Sequence, residues 1–92
     1  MKKVKGDESY MKMSLYAEGK GAVYLFIPTL WDAVNNQWMG FVQTPKTKKI
    51  ISAVGKDSVE LQNNFNICLS QALQEMPDEV LSMFKPLEYW EK

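Results

Sequence analysis

The sequence predicts an α+β domain: a four-stranded antiparallel meander, then one amphipathic helix and a short C-terminal helix. Three observations carry this. From Tyr10 to Ala17 apolar and polar residues alternate with a period of two, the mark of a half-buried strand. Clusters rich in Gly, Asn and Pro recur between the apolar runs of the first half and read as turns. Asp57, with Glu60 three residues on, precedes apolar residues spaced as on one helix face.

Taken in order, Met11, Met13, Leu15 and Ala17 share one face of the first strand, and Tyr10, Lys12, Ser14 and Tyr16 the other. Glu18-Gly19-Lys20-Gly21 is a turn, with glycine free to take positive φ. Ala22 to Ile27 is apolar on both faces, as expected of a central strand. Pro28 cannot donate to a ladder and marks a bulge, an edge or the strand's end. Asn35-Asn36, between Trp31 and Trp38, reads as a second hairpin tip. Gln37 to Thr44 returns as a strand, and Thr44-Pro45-Lys46-Thr47-Lys48 turns again, with Pro45 presetting φ. Lys49 to Val54 is the fourth strand, broken by Gly55.

Asp57 and Glu60 form a capping box, and both suit the positive helix terminus. Leu61, Phe65, Cys68, Leu69, Ala72 and Met76 make the apolar stripe. Pro77 stops this helix and can open the next. Asp78 to Phe84 is a short second helix, Lys85-Pro86 ends it, and Leu87, Tyr89 and Trp90 form an apolar tail. The 92 residues make one domain: 1–9 flexible, 10–54 sheet, 57–76 helix, 77–92 short helix and tail.

Net charge is zero, yet unevenly spread. Met1 to Lys56 holds nine Lys against four acids, and Asp57 to Lys92 two Lys against seven. The halves therefore complement each other, within one molecule or between copies. Arg and His are absent. Without His the usual general base and commonest metal ligand are missing, and without Arg the bidentate fork for phosphate or guanine. A single Cys permits no internal disulfide and suggests a reducing compartment. The N-terminal Met-Lys-Lys lacks an apolar core behind it, and no long apolar run exists, so neither a signal peptide nor a membrane span is expected. These features point to the cytoplasm, without membrane contact.

Cys68 lies in the apolar stripe with no His to activate it, so it reads as a core cysteine. The serines lack a triad base. Of the adjacent acid pairs, Asp7-Glu8 sits in the frayed start and Asp78-Glu79 in a helix's first turn. Gly19 and Gly21 precede no helix and no Lys-Ser/Thr pair, so they form no phosphate loop. No catalytic residue, cofactor or metal is expected, and the chain reads as a non-enzyme.

The helix offers a contact surface instead. From Leu61 to Gln74 it carries no charge. Asn63, Ile67, Gln71 and Gln74 lie together opposite the stripe, flanked by Asn64 and Ser70. Neutral amides around an apolar side chain cost less to desolvate than Lys or Glu and suit a moderately polar interface. The interface candidates are Asn63, Ile67, Ser70, Gln71 and Gln74. The C-terminal tail (Val80, Leu81, Phe84, Leu87, Trp90) folding back over this face, a second copy or protein partner, and plain solvent are its three candidate covers. A separate constellation is Lys46, Lys48 and Lys49 at one turn with Trp31 and Trp38 at another. Lysines and aromatics on a sheet can hold single-stranded nucleic acid by phosphate attraction and stacking.

Two folds compete with the open meander. The strands could curl into a small barrel resembling the Sm-like fold. The run Gly55-Lys56-Asp57-Ser58-Val59-Glu60-Leu61, continuing to Asn64 and Ala72, is similar to the strand-end glycine and following helix of HicB-like antitoxins. That resemblance implies strand, strand, strand, helix and an antitoxin role; where that family carries an acidic, Pro-containing segment, Lys48-Lys49-Ile50-Ile51 stands here. Gln43-Thr44-Pro45-Lys46-Thr47-Lys48 through Asp57 to Phe65 resembles small uncharacterised proteins of T4-like marine phages, which implies a phage-encoded chain in the host cytoplasm. The expectation is a small non-catalytic accessory protein acting as a homo-oligomer or on a protein partner. The alternative is a single-stranded RNA- or DNA-binding module.

Overall fold

A computed structural model describes residues 9–90. Of the frayed start expected over Met1–Ser9, residues 1–8 lie outside the described ones, and so does the acid pair Asp7-Glu8; Ser9 already belongs to a strand. Strands β1 (Ser9–Ala17), β2 (Gly21–Asp32), β3 (Gln37–Gln43) and β4 (Ile50–Gly55) pair antiparallel in sequence order. Helices α1 (Ser58–Glu75) and α2 (Pro77–Met83) follow, then the two-residue β5 (Lys85–Pro86) and the single turn α3 (Leu87–Trp90). β1 and β4 are opposite edges of an open sheet, so the barrel alternative is corrected. No described helix is long and apolar enough to cross a membrane.

Turn chemistry sets the hairpins. Gly19 and Gly21 carry φ of 81° and 74° at the first turn, where a side chain would be strained. At the second, Asp32 accepts from the N–H groups of Val34 (3.1 Å) and Asn35 and from Asn35 Nδ2 (2.8 Å), while Asn36 takes φ 53°. The Asn35 side chain leads the hydrogen bonds that hold the Asp32 carboxyl below its usual range.

β2 outlasts its expected end at Ile27 and runs through Pro28 to Asp32. The register explains why proline is tolerated. β1 pairs with β2 from Gly21 to Thr29, whereas β3 joins the other side only from Thr29 onward. Pro28 thus stands in the stretch where β2 has one long neighbour, which is the edge setting that proline allows. Nearer its start, β2 takes β5 on the vacant side, at Val23 and Tyr24.

The helix covers one face. Met13, Val23, Leu25, Ile27 and Ile51 from the sheet meet Phe65, Leu69 and Ala72 from α1 and Val80 and Phe84 from the C-terminal segment. Phe65 and Ile27 are wholly inaccessible to solvent. Burying each such side chain contributes about 1.5–3 kcal/mol before entropy is counted. α1 lies chiefly over β4 and only lightly over β3 and β1.

Two local features start α1. Asp57 Oδ1 accepts the Glu60 N–H at 2.8 Å, as a cap should. Glu60 reaches back to the N–H of Lys56 at 2.7 Å, one residue earlier than the usual box partner. Gly55 is needed for space: a Cβ there would stand 2.3 Å from the Leu61 nitrogen. The chain folds so sharply from β4 into α1 that only glycine fits between them.

Candidate interaction surface

Asn63, Ile67, Ser70, Gln71 and Gln74 are all exposed, and 61% of Ile67 is open to solvent. The tail does not cover them, which removes the first of the three candidate covers. The reason is the path after α2. Val80 and Phe84 fill the core, β5 pairs with β2, and α3 passes to the opposite face of the sheet. There the Trp90 ring meets Phe26 edge-on at 4.6 Å and donates Nε1–H to the Tyr24 carbonyl at 3.2 Å. Trp90 thus finds a half-buried ring and a carbonyl acceptor on the sheet.

The flank of the amide face behaves differently. Asn64 is half-buried and donates Nδ2–H to the Val54 carbonyl at 2.8 Å. One helical turn on, Cys68 Sγ lies 3.4 Å from the Ser52 carbonyl. Residues four apart on a helix here meet residues two apart on a strand, which closes the edge of β4. Cys68, expected as a core cysteine, is half-buried and packs against the margin of the core.

The lysine and tryptophan sets are separated. Trp31 and Trp38 face each other across β2 and β3, with ring centroids 5.3 Å apart, both half-buried. They share a hollow with Lys56, Ser58 and Leu61 at the start of α1. Lys46, Lys48 and Lys49 sit past the other end of β3, roughly 20 Å away at about 3.4 Å per residue. Lys49 pairs with Glu75 at 3.2 Å.

Glu79 organises that lysine turn. Its carboxylate accepts the N–H groups of Lys46 and of Thr47 (2.6 Å), and the Thr47 hydroxyl at 3.0 Å. Thr44, buried beside it, shares a 2.8 Å hydrogen bond with the Thr47 hydroxyl and accepts the Lys49 N–H. Burial pushes the Glu79 carboxyl up, but hydrogen bonds from Thr47, Lys46 and Thr44 outweigh it and hold it below the usual glutamate range. Glu79 thus meets N–H and hydroxyl groups rather than a lysine charge, and the ion pair at this turn is the exposed Lys49–Glu75.

No family model, curated protein or solved structure matches this chain. The surfaces themselves carry the functional reading.

A further exposed apolar surface was not among the sequence candidates. On the face away from α1, register sets Leu30 beside Met39, Met39 beside Val54, and Gln43 beside Ile50, with Phe41 opposite Ser52. Met39, Phe41, Val54 and Ile50 are 37%, 39%, 42% and 56% exposed. An antiparallel sheet normally turns polar residues to water on its free face. The signal was present in the sequence. Trp38, Met39, Phe41 and Val42, like Ile50, Ile51, Ala53 and Val54, are apolar on both faces of their strands. Such strands want cover on both sides, and α1 covers one.

Proposed function

We propose that this protein is a small non-catalytic accessory protein that works by contact, binding a protein through the open face of its sheet. The observation that carries this is the apolar row Leu30, Met39, Val54, Phe41 and Ile50, left without cover beyond Trp90 at its margin. Contiguous exposed apolar surface on a small domain marks an interaction site. The uncharged helix face around Ile67 is a second, weaker surface of the same kind. A phage-encoded origin, suggested by the resemblance of the Gln43–Lys48 run, belongs to this reading.

A photoreactive residue at Phe41 tests it in the source cell. It should give one discrete protein adduct, while the same residue at Ala33, on the exposed hairpin tip, gives none. Equal, diffuse labelling at both positions would sink the idea.

Single-stranded nucleic acid is the alternative, favoured by one observation. Phe41, rather than Trp31 or Trp38, is the exposed aromatic nearest the lysine turn, and it shares β3 with Gln43, whose amide holds the Lys48 carbonyl. Stacking on Phe41 with Lys46 and Lys48 on phosphates would give salt-sensitive binding. Fluorescence anisotropy with single-stranded RNA and DNA at low salt tests it, and no binding at high micromolar protein would end it.

A further inference from the structure

The two edges of the sheet are treated differently. β4 is closed by Asn64 and Cys68 from α1. β1, nine residues long, has no strand beyond it among the described residues. It carries no proline or glycine, and its one charge, Lys12, leans over the Tyr24 ring at 5.0 Å rather than outward. A long unprotected edge is a template for adding another strand.

The sequence of β1 is complementary to itself. Two copies paired antiparallel about Met13 would set Met11 against the second copy's Leu15 on the helix side. On the other face Tyr10 would meet the second copy's Tyr16, and Lys12 its Ser14. Apolar meets apolar, aromatic meets aromatic, and no like charges face each other. Tyr16, 78% exposed in the single chain, gains a partner.

The helix side agrees. Because α1 lies chiefly over β4, a small groove remains beneath β1, bordered by Met13 and Leu15, by Asn66, Ser70 and Leu73 of α1, and by Val80 and Phe84 of the C-terminal segment. The helix residues bordering it are neutral, so a two-fold axis there would bring no helix charge against its own copy.

We propose that β1 is the self-association edge of this protein: a second copy pairs with it antiparallel about Met13, joining two sheets into one and bringing the uncharged flanks of the two α1 helices together across the groove. This rests on the reading that the protein works by contact, but it uses a different surface from the Phe41 face.

Light scattering of the full chain against concentration tests it, with a charge swap to fix the register. The wild type should weigh twice its 10.6 kDa at micromolar concentrations. Ser14→Lys, at an exposed position that the single chain tolerates, sets lysine against the second copy's Lys12 on both sides of the axis. It should weaken the dimer tenfold or more. Adding Lys12→Glu to that variant should restore it, since each new pair is then opposite in charge. Far-ultraviolet circular dichroism confirms that each variant is folded. A wild type monomeric up to millimolar concentration overturns the proposal, as does a dimer indifferent to Ser14→Lys. A loss that Lys12→Glu does not rescue overturns the register about Met13. A monomer here, with a discrete adduct at Phe41, would end this pairing and leave the partner-binding reading standing.

Discussion

Asn64 holds the edge of β4 by donating its amide N–H to the Val54 carbonyl at 2.8 Å, while Asn63, its neighbour in sequence, points to solvent. Two adjacent asparagines thus do unlike work. Asn64→Ala leaves an edge carbonyl without its donor and should cost about 1 kcal/mol in urea unfolding. Asn63→Ala should stay within about 0.5 kcal/mol of wild type. Equal losses would mean the edge contact contributes nothing.

Gly55 is the tightest of the described glycines. A Cβ there meets the Leu61 nitrogen at 2.3 Å and the Leu61 Cα at 2.7 Å, both backbone atoms that cannot swing away. Gly55→Ala should destabilise by about 3 kcal/mol, the upper end for overpacking. At Gly40 a Cβ meets only side chains, Ile27 at 3.3 Å and Phe65 at 3.6 Å. Gly40→Ala should cost about 1 kcal/mol. Chemical denaturation of both variants checks the order, and a reversed order would refute it.

Glu79 makes the stability depend on pH. Its carboxyl is held below the value it has in the unfolded chain. Such a group contributes stability that is fully present above the unfolded value, near 4.3, and is lost as pH falls through the lower folded value. Melting temperature followed from pH 7 to pH 3 should therefore fall more steeply for wild type than for Glu79→Gln, with the two converging at the acid end. Parallel curves would show that the turn does not need the charge.

Trp90 fastens the C-terminal segment to the outer face of the sheet. Trp90→Phe keeps an aromatic ring for Phe26 but loses the bond to the Tyr24 carbonyl, at a cost of about 1 kcal/mol. Trp90→Ala removes the ring contact as well and should cost about 2 kcal/mol, adding the aromatic pair to that bond. It should also raise binding of a hydrophobic dye by uncovering Phe26. No difference between the two variants would argue against the ring contact.

Ile67 separates the two candidate association surfaces. It lies opposite the core stripe of α1, and Ile67→Glu should leave unfolding free energy within about 0.5 kcal/mol of wild type. If β1 is the association edge, oligomeric mass should also be unchanged, whereas Ser14→Lys lowers it. A mass that falls with Ile67→Glu alone would place the contact on the amide face.

Wherever a pattern depended on near neighbours, it was legible. The alternation of Met11, Met13 and Leu15 against Lys12 and Ser14 sorted β1 onto its two faces. Of the stripe Leu61, Phe65, Cys68, Leu69, Ala72 and Met76, four residues are buried as their spacing requires, while Cys68 and Met76 at its margin are half-buried. Asn63, Gln71 and Gln74 lie on the exposed side of α1, as their spacing implied. What covers them, and the role of Glu79, were not legible. Glu79 reads as one more acid in a helix's first turn, yet it serves the N–H groups of Lys46 and Thr47 from more than thirty residues away.

The sequence alone determined the meander, its three turns, the capped helix and the lack of charge along it, because each rests on interactions within a few residues. Only the tertiary structure decided that the sheet stays open, that the tail crosses to the far face, and that Asn64 closes one edge while β1 keeps the other free. Those outcomes depend on which surfaces meet after the chain has collapsed. Apolar burial has no direction of its own, so only the packed geometry selects among the faces the sequence offers.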